Sequence, residues 1–166
     1  MGSLTVWDGV RMEAVGRKIR TALTLLVAPL PYNYCITSGT DSDHGGLRDS
    51  YHYAVLDYKG SEAAALDVGC FNSKPDRSAR ARALAKVIYE KHHDLVLELI
   101  VSNVGSGLNW AGGYYIKKQR KVAPYSVAGH DNHIHLAMSD ALVDKLIDRL
   151  RATNSVFTDL DLTWPS

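Results

Sequence analysis

The sequence predicts an α+β fold, a small mostly antiparallel sheet with helices packed on one side. Two observations lead there. Stretches with the 3.6-residue spacing of amphipathic helices are separated by short runs rich in aromatic and β-branched residues. Their order along the chain, helix, strand, strand, helix, strand, strand, helix, is that of an α+β domain. With 166 residues, 46% apolar and 22% charged, the chain has the size for one core, so residues 1–166 are read as a single domain.

Over residues 7–27, apolar side chains at Val10, Met12, Ala14, Val15, Ile19, Ala22, Leu23 and Leu26 suit a helix with Arg17, Lys18 and Arg20 toward water. Pro29 and Pro31 stop it. Residues 32–38 read as a strand ended by Gly39. Residues 40–61 are polar and rich in Asp and Gly, and a loop of that length in a compact domain is usually functional. A strand is expected over residues 63–68. Ser73 and Pro75 mark the start of a helix over residues 76–92, and a buried strand follows over residues 95–102. Residues 103–113, with four glycines and Trp110, read as a loop that closes over a ligand. Residues 114–122 suit an edge hairpin with its four lysines and arginines in solvent, and residues 132–138 suit a strand. Ser139 caps a last helix over residues 140–152, apolar at Leu142, Val143, Leu146, Ile147 and Leu150.

Several classes are excluded by composition. Nineteen basic and 18 acidic residues leave a formal charge of +1, which offers no electrostatic footprint for nucleic acid or an anionic membrane. The longest apolar patch, residues 22–31, is far short of the roughly 20 residues that span a bilayer, so no membrane insertion is expected. No secretory signal is recognisable, and synthesis in the cytoplasm is expected. The two cysteines, Cys35 and Cys70, form no Cys-X-X-Cys pair and read as buried free thiols rather than redox or metal groups. A monomer is expected.

The most informative residues are His133-Ile134-His135. On a strand, alternate side chains share a face, so the two imidazoles project toward the same place. Upstream, Ser50-Tyr51-His52 and Ala65-Leu66-Asp67 supply a third imidazole and a carboxylate, which complete a nitrogen and oxygen ligand set of the kind zinc accepts. His52, Asp67 and His135 are therefore the expected ligands of one Zn2+, with His133 beside the metal as a catalytic group. His130 and Asp131 are candidates to assist or orient it, and the base and acid roles stay undivided between His130 and His133. His44 is an alternative ligand to His52. His92 and His93, at a helix end, are expected only to interact with the helix dipole.

This pattern resembles the LAS metallopeptidases, the family of lysostaphin, the D-alanyl-D-alanine peptidases and the Hedgehog signalling domain. The family's Ser-X-His, Ala-X-Asp and His-X-His elements correspond to Ser50-Tyr51-His52, Ala65-Leu66-Asp67 and His133-Ile134-His135. Ile36-Thr37-Ser38-Gly39 is similar to the strand leading into the metal loop of peptidoglycan peptidases of the carboxypeptidase and phage endolysin type. The additional His130 resembles the penicillin-insensitive murein endopeptidases, where many relatives carry a glutamate base. Fourteen residues separate His52 from Asp67, more than is usual for the family. Thr40 and Asp41 stand where an arginine is often found, with Arg48 a substitute.

The resemblance implies a Hedgehog/DD-peptidase-like fold. It also implies a zinc peptidase that cleaves an L-alanyl-D-glutamate or D-alanyl-D-alanine type bond in bacterial peptidoglycan stem peptides. Ser50, Arg48, Trp110 and Tyr115 are the expected substrate-binding residues. Action at the cell wall, with release through a phage holin, would fit an endolysin. The alternative is a non-catalytic zinc-containing binding module of the same fold.

Overall fold

Every second residue of the central strands is a large aliphatic one, and these residues lay down the floor of the core. The computed structural model describes residues 1–8, 10, 17–39, 65–69, 77–101, 114–116, 121–123 and 133–153. In chain order the elements are β1 (Ser3–Val6), α1 (Arg17–Val27), β2 (Asn33–Ser38), β3 (Ala65–Gly69), α2 (Arg77–His92), a 3-10 turn (His93–Leu95), β4 (Glu98–Ile100), β5 (Tyr114–Ile116), β6 (Lys121–Ala123), β7 (His133–Ala137) and α3 (Asp140–Thr153).

The strands form a seven-stranded sheet in the order β1-β2-β3-β7-β4-β5-β6. β1 and β2 run parallel, and every other neighbouring pair is antiparallel. The class is α+β, with a mixed sheet and, among the described residues, three helices. Leu66 and Val68 of β3 stand opposite Leu136 and Ile134 of β7, and Leu99 of β4 also pairs with Leu136. These side chains join one buried cluster with Ile19, Leu23 and Leu26 of α1, Ala81, Leu84 and Ile88 of α2, and Val143, Leu146 and Leu150 of α3. All three helices thus cover the sheet face that carries these aliphatic residues. The opposite face of β3, β7 and β4 carries Asp67, His133, His135 and Glu98.

Several local expectations differ from what forms. The helix expected over residues 7–27 has its described part at α1, while Trp7, Asp8 and Val10 are not helical. Residues 11–16 lie outside the described residues. β1 was not expected: it is four residues long, at the sheet edge, and takes its place by tertiary pairing with β2 rather than by a strong local pattern. Its start is pinned by Gly2, whose N–H donates to Ala28 O at 3.1 Å. A β-carbon on Gly2 would collide with the carbonyl oxygens of Val27, Leu30 and Tyr32. Of the strand expected over residues 95–102, the described part is Glu98–Ile100, and Leu95 belongs to the 3-10 turn. β5 and β6 form the expected edge hairpin.

The helix layer is tied together at its rim. Arg149 of α3 forks onto the Asp94 carboxylate with both distances 2.8 Å and donates to Lys91 O at 3.2 Å. The Arg149 guanidinium holds the Asp94 carboxyl down to about 2. Both partners are more than a third exposed, so solvent screening limits the pair to about 0.2–1 kcal/mol. Lys18 of α1 reaches Asp144 of α3 at 2.9 Å. Among the described residues, no helix is long and apolar enough to cross a membrane.

Leu136 is 1% exposed and lies between Leu66 and Leu99 under the helices. Leu136→Ala is expected to lower unfolding free energy by about 2–5 kcal/mol, through lost burial and an unfilled cavity, read as a lower denaturant midpoint at unchanged slope.

Candidate functional site

Two strands far apart in sequence bring the site together. Asp67 on β3 and His135 on β7 are direct cross-strand partners, on the face away from the helices. They are 6% and 4% exposed. His135 Nδ1 lies 3.2 Å from Asp67 Oδ1. The register of β2 against β3 shifts between Ile36 and Ser38, so that Ser38 stands opposite Asp67. Such a bulge re-aims side chains and is frequent beside functional sites. Thr37 Oγ1 donates to the Asp67 carbonyl at 3.4 Å, which anchors the backbone there.

The second nitrogen of His135 is also engaged. Its Nε2 lies 2.9 Å from Glu98 Oε2. Glu98, on β4, stands opposite Ala137, which makes it the diagonal neighbour of His135. The result is a buried line, carboxylate, imidazole, carboxylate, running across three strands. His133, two residues before His135, stands opposite Gly69. Its Nε2 is 4.0 Å from Asp67 Oδ2, beyond hydrogen-bond reach, and its side chain is 18% exposed. His133 is thus the member of the group nearest to solvent.

Burial works against a charge on His135, but the hydrogen bonds and negative charges of Asp67 and Glu98 outweigh it, and the His135 pKa is pushed up to about 9. In the metal-free protein the ring is an imidazolium that donates from both nitrogens.

Sequence reasoning placed Asp67, His133 and His135 in one site, and they meet. It passed over Glu98. The signal was present, since a single glutamate interrupts the apolar run of residues 95–101, and a charged group in a buried strand needs a partner. His52, Ser50, Arg48, Trp110, His130 and the alternative ligand His44 lie outside the described residues. Tyr115 is in β5, where its register partner is Leu99; Tyr114 is the residue opposite Ile100, in the cross-strand row that contains Asp67 and His135.

The other histidines have local roles. His93 donates to Tyr89 O at 2.7 Å, a bond at the C-terminal end of α2. Burial, and then Arg149, hold the His92 pKa below its ordinary value. Cys35 is a buried free thiol whose pKa is raised chiefly by burial.

The donor set can be tested against a zinc ion. Zinc takes imidazole nitrogen and carboxylate oxygen at about 2.0–2.2 Å in tetrahedral sites, which puts two donors on one ion about 3.3 Å apart. The 3.2 Å between His135 Nδ1 and Asp67 Oδ1 matches that spacing. Among the described residues no group of three His, Cys, Asp or Glu forms a metal site, and the third expected ligand, His52, is not one of them. The residues present fit two corners of a zinc site. No protein-family model matches this chain, and no curated protein or solved structure matches it either.

Because the folded pKa of His135 lies above its unfolded value of about 6.5, the stability it contributes to the metal-free protein is fully present below that value and is lost as pH rises through about 9. NMR titration of the metal-free protein is expected to place the His135 midpoint near 9, with a denaturant midpoint that falls over the same range. A His135 signal titrating below pH 7 would contradict this account.

Proposed function

We propose that this chain is a zinc-dependent peptidoglycan peptidase of the LAS type, with a Hedgehog/DD-peptidase-like fold, that hydrolyses an amide bond in bacterial cell-wall stem peptides. The meeting of Asp67 and His135 carries this proposal. Two elements of the Ser-X-His, Ala-X-Asp, His-X-His pattern, 68 positions apart in the chain, put an oxygen and a nitrogen at zinc-sharing distance. His52 is assigned as the third ligand on the pattern alone.

A zinc ion bound there supplies Lewis acidity at a carbonyl and a water of lowered pKa. Asp67 and His135 bind and orient. His133, more exposed than either and beside the same carboxylate, holds or passes a proton at its Nε2, with His130 as its assisting group. Glu98 lies across the His135 ring from Asp67 and is not assigned as the base. Arg48, Ser50, Trp110 and Tyr115 are assigned to the stem peptide on sequence grounds. The site of action is the cell wall, reached in an endolysin through a membrane lesion made by a holin.

The test is purified protein incubated with peptidoglycans of several wall types, with free amino groups counted before and after chelation. Release is expected to stop with chelator and to return with added zinc. His135→Ala is expected to lose both metal and turnover, whereas His133→Ala keeps stoichiometric metal and loses about 100-fold or more in rate. Equal metal retention in the two variants would overturn this division of roles. Stoichiometric zinc with no cleavage of any wall type would favour a non-catalytic binding module.

A further inference from the structure

We propose that Glu98 is a positioning residue for the metal centre: its carboxylate accepts the Nε2–H of His135 and so presents Nδ1 toward Asp67 and the cation they share. This rests on the zinc assignment above and adds a residue that the motif pattern does not contain. A carboxylate only accepts, so the imidazole nitrogen 2.9 Å from Glu98 Oε2 carries the hydrogen. In the metal-free ring both nitrogens face carboxylates and both carry hydrogens; a cation taken up beside Asp67 would replace the proton on Nδ1, the nitrogen 3.2 Å from Asp67, while the shorter contact to Glu98 keeps the hydrogen on Nε2. The two ring nitrogens face different sides, so Glu98 acts on the cation through His135 rather than as a ligand.

The surroundings of Glu98 support the same role. It is 9% exposed, and its strand neighbours Leu99 and Ile100 are buried apolar residues. Its cross-strand partner is Ala137, and Ala65 follows in the same row on β3. These small side chains leave room beside Glu98, which reaches the diagonal position of His135 instead. The contact joins β4 to β7 on the face away from the helices, where it contributes nothing to the aliphatic core. Outer-shell carboxylates of this kind hold one imidazole tautomer and ring orientation, and their loss typically weakens metal binding about 10–100-fold.

The decisive measurement is zinc affinity by chelator competition for wild type, Glu98→Gln and Glu98→Leu, together with the thermal midpoint of each metal-free protein. Glu98→Leu is expected to bind zinc about 10–100-fold more weakly, while Glu98→Gln, which keeps an acceptor oxygen, recovers affinity toward wild type. The cobalt-substituted Leu variant is expected to show an altered visible spectrum. A folded Glu98→Leu that binds zinc as tightly as wild type overturns the proposal, as does a Gln variant as weak as the Leu variant. If the Leu variant does not fold, nitrogen-15 spectra of zinc-loaded wild type decide: a protonated Nε2 on His135 supports the proposal, and a metal-bound Nε2 overturns it. Failure of the wild type to bind zinc would instead remove the metal assignment itself, before any variant is compared.

Discussion

A buried imidazole held between two carboxylates sets the terms for the rest of this molecule. Asp67, His135 and Glu98 are each less than a tenth exposed, and taking such groups out of water is costly unless each finds a partner. They find one another only if β3, β7 and β4 keep a single register. A slip of one residue between β3 and β7 would turn His135 into the helix-covered core and bring Leu136 to the polar face. The polar line and the aliphatic core therefore enforce the same alignment from opposite faces of the sheet.

That two-faced construction explains how the sheet carries a buried polar line without losing its core. The helices spend their apolar surface on Leu66, Val68, Leu99, Ile134 and Leu136, and the other face of the same strands is left for polar chemistry. The gradient of exposure within the group matters as well. His135 is sealed between its carboxylates, whereas His133, opposite Gly69, is partly open to solvent. The two imidazoles of one His-X-His pair thus sit at different depths on the same face of the sheet.

Much of this was legible in the chain. The helices α2 and α3 lie close to their expected limits because their apolar spacing and their start signals agree. β2, β3 and β7 were visible as short β-rich runs. β1 was not, since four edge residues carry too little pattern and owe their conformation to β2. Trp7 and Val10 continue the apolar spacing of the N-terminal helix, yet a turn follows β1 there. Glu98 was missed because motif reasoning follows known spacings, and this residue belongs to none.

By itself, the order of residues determined the fold class and which His and Asp side chains share the polar face of the sheet, because period-2 and period-3.6 patterns are local properties. Only the tertiary structure decided which strands became neighbours, that the β1–β2 pair runs parallel, and that Glu98 stands across His135 from Asp67. Those facts depend on register between segments that are distant in the chain, and register is chosen by the simultaneous packing of both sheet faces.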